Sequence, residues 1–134
     1  MDRDAARSTL TSIAPCFIVR DVTPSIAFYR DRLGFALEFL GPADDPFFAI
    51  LRRDGVRVMI KAILPHVQPT PNAGQHPWAR WDGFVHTADP DALAAEFSAR
   101  GVGLHAPLAD TDDQLRGFEV RDPDGYVLFF GRPR

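Results

Sequence analysis

Two stretches of this chain carry the same signals in the same order. Asp21 precedes a helix start with proline, a glycine stop and an Asp-Gly turn at Asp54-Gly55. Asp89 precedes the same series, which ends at the turn Asp124-Gly125. Asp21 maps to Asp89, 68 residues on, and Gly55 maps to Gly125, 70 residues on. A near-constant spacing held across a helix and a hairpin marks an internal duplication, and it restricts the fold to two copies of one supersecondary unit.

The content of each copy follows from local chemistry. Residues 12–19 are apolar and β-prone. Thr23-Pro24 opens a helix, with Thr23 as N-cap and Pro24 in the first helical position. Ile26, Tyr29 and Leu33 fall on one helical face, and Gly34 is placed to end the helix. Strands are predicted over 35–40, 47–52 and 56–62, the last two joined by the Asp54-Gly55 turn. The second copy repeats this. Residues 83–88 read as a strand, and Asp89-Pro90 starts a helix. Leu93, Ala94 and Phe97 form its apolar face, and Gly101 stops it. Strands are predicted over 103–106, 115–121 and 126–131. "ADTDDQ" (109–114) reads as a solvated acidic turn. Residues 64–81, rich in Pro, His and Gln, read as a linker. The predicted class is α+β. Two tandem β-α-β-β-β modules occupy about 12–63 and 82–132 of one domain.

Bulk properties narrow the function. The chain has 134 residues, 46% of them hydrophobic, and a net charge of -3. That charge argues against nucleic acid as partner, since a basic face is the usual footprint there. No apolar run reaches the ~18 residues of a membrane span. Residues 1–12 are polar and charged, unlike a signal peptide. Cys16 is the only cysteine, so no internal disulfide forms and a reducing, cytoplasmic setting is expected.

The segments "DVTPSIAFYRDRLGF" (21–35), "RRDGVRVMI" (52–60), "ADPDALAAEFSARGV" (88–102) and "RDPDGYVLFFG" (121–131) resemble the vicinal oxygen chelate superfamily. That group includes glyoxalase I, extradiol dioxygenases, fosfomycin-resistance enzymes and bleomycin-resistance proteins. The resemblance implies curved mixed sheets that form a cup, helices on the outer face and a homodimer. In metal-using members four cup-facing positions supply ligands. They correspond here to Ala14, Gly83, Phe129 and Met59, or Lys61 by a shift of two. These residues do not make a site of three or more N, O or S donors. The implied reading is a small-molecule-binding protein of the bleomycin-resistance type, with no metal and no cofactor. The alternative is a lyase, isomerase or dioxygenase-like enzyme of the same superfamily.

Within that frame the residues themselves suggest ligand contacts. Phe129 stands where a metal-binding carboxylate would be. Arg57, Met59 and Lys61 share one strand face, a mixed cationic and apolar wall that favours a neutral or anionic aromatic ligand over a cationic one. Trp78 and Trp81 flank Arg80, an arrangement suited to stacking and cation–π contact. Cys16 shares strand parity with Ala14, either lining the cup or serving as a small buried apolar side chain. Glu119 is a lone carboxylate in the cup or the partner of Lys61 or Arg57. His66 and His76 fall in the linker and His105 follows the second helix. His86 is expected to face the helix layer.

Overall fold

The computed structural model describes residues 7–134, so half of the polar stretch 1–12 lies outside the described residues. The first sheet contains β1 (Cys16–Ile18), β2 (Ala36–Gly41), β3 (Phe48–Arg53) and β4 (Val56–Lys61), in the order β1-β4-β3-β2. The second contains β5 (Gly83–His86), β6 (Ala106–Asp110), β7 (Leu115–Arg121) and β8 (Val127–Pro133), in the order β5-β8-β7-β6. In each sheet the first strand runs parallel to the last and the other neighbours are antiparallel. One helix follows the first strand of each unit: α1 (Val22–Ala27) and α2 (Pro90–Ala99). This is the α+β arrangement of two β-α-β-β-β units read from the repeat. Among the described residues no helix is long and apolar enough to cross a membrane.

The helix ends show which local signals act. Asp21, not Thr23, caps α1: its carboxylate accepts the Thr23 N–H at 3.0 Å. Pro24 therefore lies inside the first turn, where no intrahelical partner exists for an N–H and none is lost. Asp89 caps α2 through the Ala92 N–H, with Pro90 in the first position. Gly34 and Gly101 adopt φ of +74° and +85°, the left-handed backbone that ends a helix at low cost. A π-helical turn, Phe28–Arg32, extends α1 and carries the fully buried Tyr29.

The strands alternate between two environments. Phe17, Val19, Leu51, Val58 and Ile60 point from the first sheet toward the helices, as do Phe118, Val120, Leu128 and Phe130 from the second. With Tyr29, Leu33, Phe35 and Phe97 they form one continuous core. Phe97 meets Phe118 and Phe130 edge-on at 5.8 and 5.2 Å. The strand expected at 103–106 begins only at Ala106 and runs through Asp110. It is an edge strand with an irregular register between Ala106 and Ala109, so no clean hydrophobic alternation marks it in the sequence.

Polar groups join the two units. The Tyr29 hydroxyl donates to Asp122 Oδ2 at 2.9 Å, and the Ser25 hydroxyl donates to Asp124 Oδ2 at 3.1 Å. Asp122 Oδ1 accepts the N–H groups of Asp124 and Tyr126, both at 2.9 Å. The Arg20 N–H and guanidinium both reach Asp124 Oδ1, and the Tyr126 hydroxyl donates to the Ile18 carbonyl at 2.7 Å. The turn after β7 is thus a buried weld between units as well as a hairpin. Burial pushes the Asp122 carboxyl up to about 6, against the three donors that favour its charged form. Burial and then the charge of Asp122 hold Tyr29 well above the usual phenol range. Arg53 and Glu96 add a bidentate pair at 2.8 Å. It is partly solvated and contributes about 1 kcal/mol or less.

Candidate functional site

Each sheet has a second face, turned away from its helix, and the candidate residues divide between these two faces. On the first sheet Cys16 lies in register with Met59, and Met59 with Ile50. Lys61 is exposed at the strand end. Arg57 donates to both oxygens of Glu38, at 3.0 and 3.1 Å. That pairing weakens the case for an anionic ligand, because the guanidinium is already matched. Cys16 is exposed, so the small buried thiol is not what the fold makes of it. Phe39, in register with Ile50, is 50% exposed on this face.

The second sheet is closed over. Phe129 lies in register with Phe84 on one side and Glu119 on the other. It faces away from the helices, yet it is only 2% exposed. Its burial is a backbone effect. Gly117 and Gly131 are cross-strand partners two residues from Glu119 and Phe129. A Cβ at Gly117 would stand 2.6 Å from the Phe129 Cζ, and one at Gly131 2.5 Å from its Cε1. The phenyl ring therefore lies down across two bare glycines, and any side chain there would lift it off. Trp81 covers it at 5.6 Å between ring centroids, and Phe84 flanks both rings at 5.1 and 5.4 Å. Among the described residues the buried Trp81 Nε1–H finds no hydrogen-bond partner, an unusual state for an indole donor.

Arg80 fastens this aromatic layer. Its guanidinium lies 5.8 Å from the Trp81 ring. One nitrogen reaches Asp113 at 3.3 Å and the other reaches Glu119 at 3.5 Å. Glu119 is buried on the same face as Phe129. Its partner is Arg80, not Lys61 or Arg57. Reading the sequence missed Arg80 in this role. The visible signal was its place between two tryptophans, and the distant Glu119 could not be assigned to it. Trp78 does not join the layer. It is 87% exposed and meets the edge of His76, at 5.7 Å.

Two other assignments change. His86 shares the face of Phe84 and Phe129, with its ring 4.4 Å from Phe84, and Val85 is the residue that packs on the core. Gly83 pairs with Leu128 and turns toward the helices: a Cβ there would meet Leu128 at 2.9 Å. The register pair Phe84–Phe129 repeats Cys16–Met59, so the repeat mate of Ala14 is Asp82. Asp82 does carry oxygens, but they accept the backbone N–H groups of Asn72 and Val127 at 2.7 and 2.8 Å. The four positions are then Ala14, Met59, Asp82 and Phe129. One carboxylate already bonded to the backbone and one thioether do not suit a hard divalent ion. Among the described residues no three His, Cys, Asp or Glu side chains gather where an ion could be held. Between the two sheets a cleft of about 530 Å³ is lined by Ala14, Val56, Arg57, Phe84 and His86 among others. The Phe129 ring lies outside it, beneath Trp81.

Comparison with known proteins agrees with this architecture. No curated protein matches the sequence. Among solved structures, the bleomycin-binding protein of Streptomyces verticillus, complexed with copper(II)-bleomycin, is 26% identical. It has a TM-score of 0.69, with 96% of this chain and all of that one covered. TioX from Micromonospora sp. ML1 is 22% identical with a TM-score of 0.70, over 92% of this chain and 99% of that one. A lactoylglutathione lyase from Agrobacterium tumefaciens is 16% identical with a TM-score of 0.64, over 92% and 95%. The last two show the fold alone. The sequence profile of one family matches residues 10–130, nearly the whole chain. The protein belongs to the Glyoxalase/Bleomycin resistance protein/Dioxygenase superfamily.

Proposed function

We propose that this protein binds a small organic compound with an aromatic portion, uses no metal to do so, and acts by sequestration. The observation that carries the proposal is the aromatic layer of Phe84, Phe129 and Trp81, with a buried indole N–H that has no partner among the described residues. A flat ligand inserted at Trp81 gains stacking area from rings already held in place. An acceptor oxygen on it takes the Nε1–H, which now lacks a bond. The donor set at the four metal positions supports the metal-free part, and the bleomycin-binding relative at 26% identity supports the ligand class. Met59, Lys61, Arg57 and Cys16, from the first sheet, complete the proposed contacts.

The same proposal includes a homodimer. The helix-free face of the first sheet exposes Phe39, with Ile50 and Met59 half-buried beside it. A second copy that covers this face brings it opposite an aromatic layer of the second sheet. Light scattering at micromolar concentration should give about twice the chain mass of 14.9 kDa, and a stable monomer would refute the assembly. A reducing compartment suits the exposed thiol of Cys16. Function itself is tested by a thermal-shift screen of aromatic compounds against wild-type and Phe129→Glu protein. Saturable stabilisation that the variant loses supports the reading. The same stabilisation in both proteins removes Phe129 from the site.

A further inference from the structure

Glu119 raises a question that the aromatic layer does not answer. A carboxylate that is 8% exposed lies beside Phe129, in surroundings that disfavour an uncompensated charge. Its compensating cation comes from the linker: Arg80, whose side chain is 43% exposed and whose guanidinium sits against the same indole that covers Phe129. Arg80 is thus a cation held at once against an aromatic face and a buried carboxylate. Those two contacts are what a cage for an organic cation provides.

We infer that Arg80 is an internal stand-in for a cationic ligand, and that the site beneath it selects aromatic compounds bearing an amidinium, guanidinium or ammonium group. The inference rests on the aromatic-ligand reading above and specifies its charge. A neutral or anionic arene that displaces Arg80 leaves Glu119 buried and unpaired. A cationic arene replaces the lost contact as it enters. The layer opens by exchange: the ligand cation takes Glu119, the arene stacks with Phe84 and Phe129, and Arg80 stays with Asp113, its other partner at 3.3 Å. Arg80 competes for the site, so it sets a threshold affinity and blocks weak arenes.

The probes are benzamidinium, benzamide and benzoate, three planar arenes of nearly the same size with charges of +1, 0 and -1. The chain has two tryptophans, so a Trp78→Phe background leaves Trp81 as the only indole reporter. Removal of the competing guanidinium in Arg80→Ala should tighten both benzamidinium and benzamide by about ten-fold or more, the scale of one charged contact, and keep benzamidinium the tighter of the two through Glu119. Arg80→Gln, which keeps the stem over the indole, should behave the same way and serves if the alanine variant folds poorly. Glu119→Gln should erase the preference for benzamidinium over benzamide. If the two arenes titrate alike in both Arg80 variants, or if the preference survives Glu119→Gln, the inference is overturned while the aromatic site stands. If no arene perturbs Trp81 in any variant, the proposed function falls with it.

Discussion

Raising the pH from about 4 to about 7 should destabilise wild-type protein relative to Asp122→Asn. Asp122 is buried and titrates near 6 in the folded chain, above the ordinary aspartate value of 3.8. Between those two values the folded chain holds a proton that the unfolded chain has released. The contribution is fully present below the ordinary value and is lost as pH rises through about 6. A difference of about two pKa units corresponds to roughly 3 kcal/mol, as an upper figure. The groups around Asp122 are the Tyr29 hydroxyl, which donates to it, the N–H groups of Asp124 and Tyr126, and the carboxylate of Asp124, whose charge raises it. The acids held low by arginines, Glu96 by Arg53 and Asp91 by Arg116, act in the opposite sense and in a lower window. Their stabilisation disappears only as pH falls below the usual carboxylate range. They are common to both proteins and cancel in the difference. The Asp122→Asn side chain keeps an oxygen for the Asp124 and Tyr126 N–H groups, and its amide can donate to Tyr29 with the hydroxyl turned to accept. Urea unfolding of both proteins from pH 4 to 7.5 measures the effect. The wild-type stability minus that of Asp122→Asn should fall by about 2–3 kcal/mol across the window. A difference that is flat, or that rises with pH, would refute the buried, proton-retaining carboxyl.

Three further outcomes follow from the same structure. Tyr29→Phe removes the side-chain donor to Asp122 Oδ2 and should cost about 1–3 kcal/mol in urea unfolding; an unchanged midpoint would mean that the weld contributes little. Phe129→Ala strips the ring from the Gly117–Gly131 pair and from under Trp81, for a loss of about 3–5 kcal/mol, read by thermal denaturation. A variant as stable as wild type would show the ring to be loosely held. Elemental analysis of mildly purified protein should find far less than one Zn, Ni, Fe or Mn per chain; a stoichiometric ion, with stability lost on chelation, would contradict the donor set.

The repeat was readable because its signals are local. Caps, glycine stops and Asp-Gly turns act within a few residues, and Asp89, Gly34, Gly101 and Gly125 behave as their chemistry dictates. Where two local signals competed, at Asp21 and Thr23, the aspartate took the cap. Faces were harder. The side-chain period of a strand is two, so an offset of one residue reverses a whole strand. That is why Gly83 was expected in the cup and His86 against the helices, when Phe84 and His86 share the face of Phe129. The partners of buried charges were not readable. Nothing near Asp122 or Asp124 in the chain announces that a helix far earlier in the sequence brings Tyr29 and Ser25 to them. Glu119 meets Arg80 only because the linker folds back over the second sheet.

Binding of an aromatic compound through protein groups alone is what we propose for this site. Its most direct test is a calorimetric titration of chelator-treated wild-type protein with the best compound from the thermal-shift screen. Repeating the titration with a divalent metal restored completes it. Binding through protein groups alone predicts the same saturable isotherm in both conditions. Binding that appears only when the metal is present would contradict it.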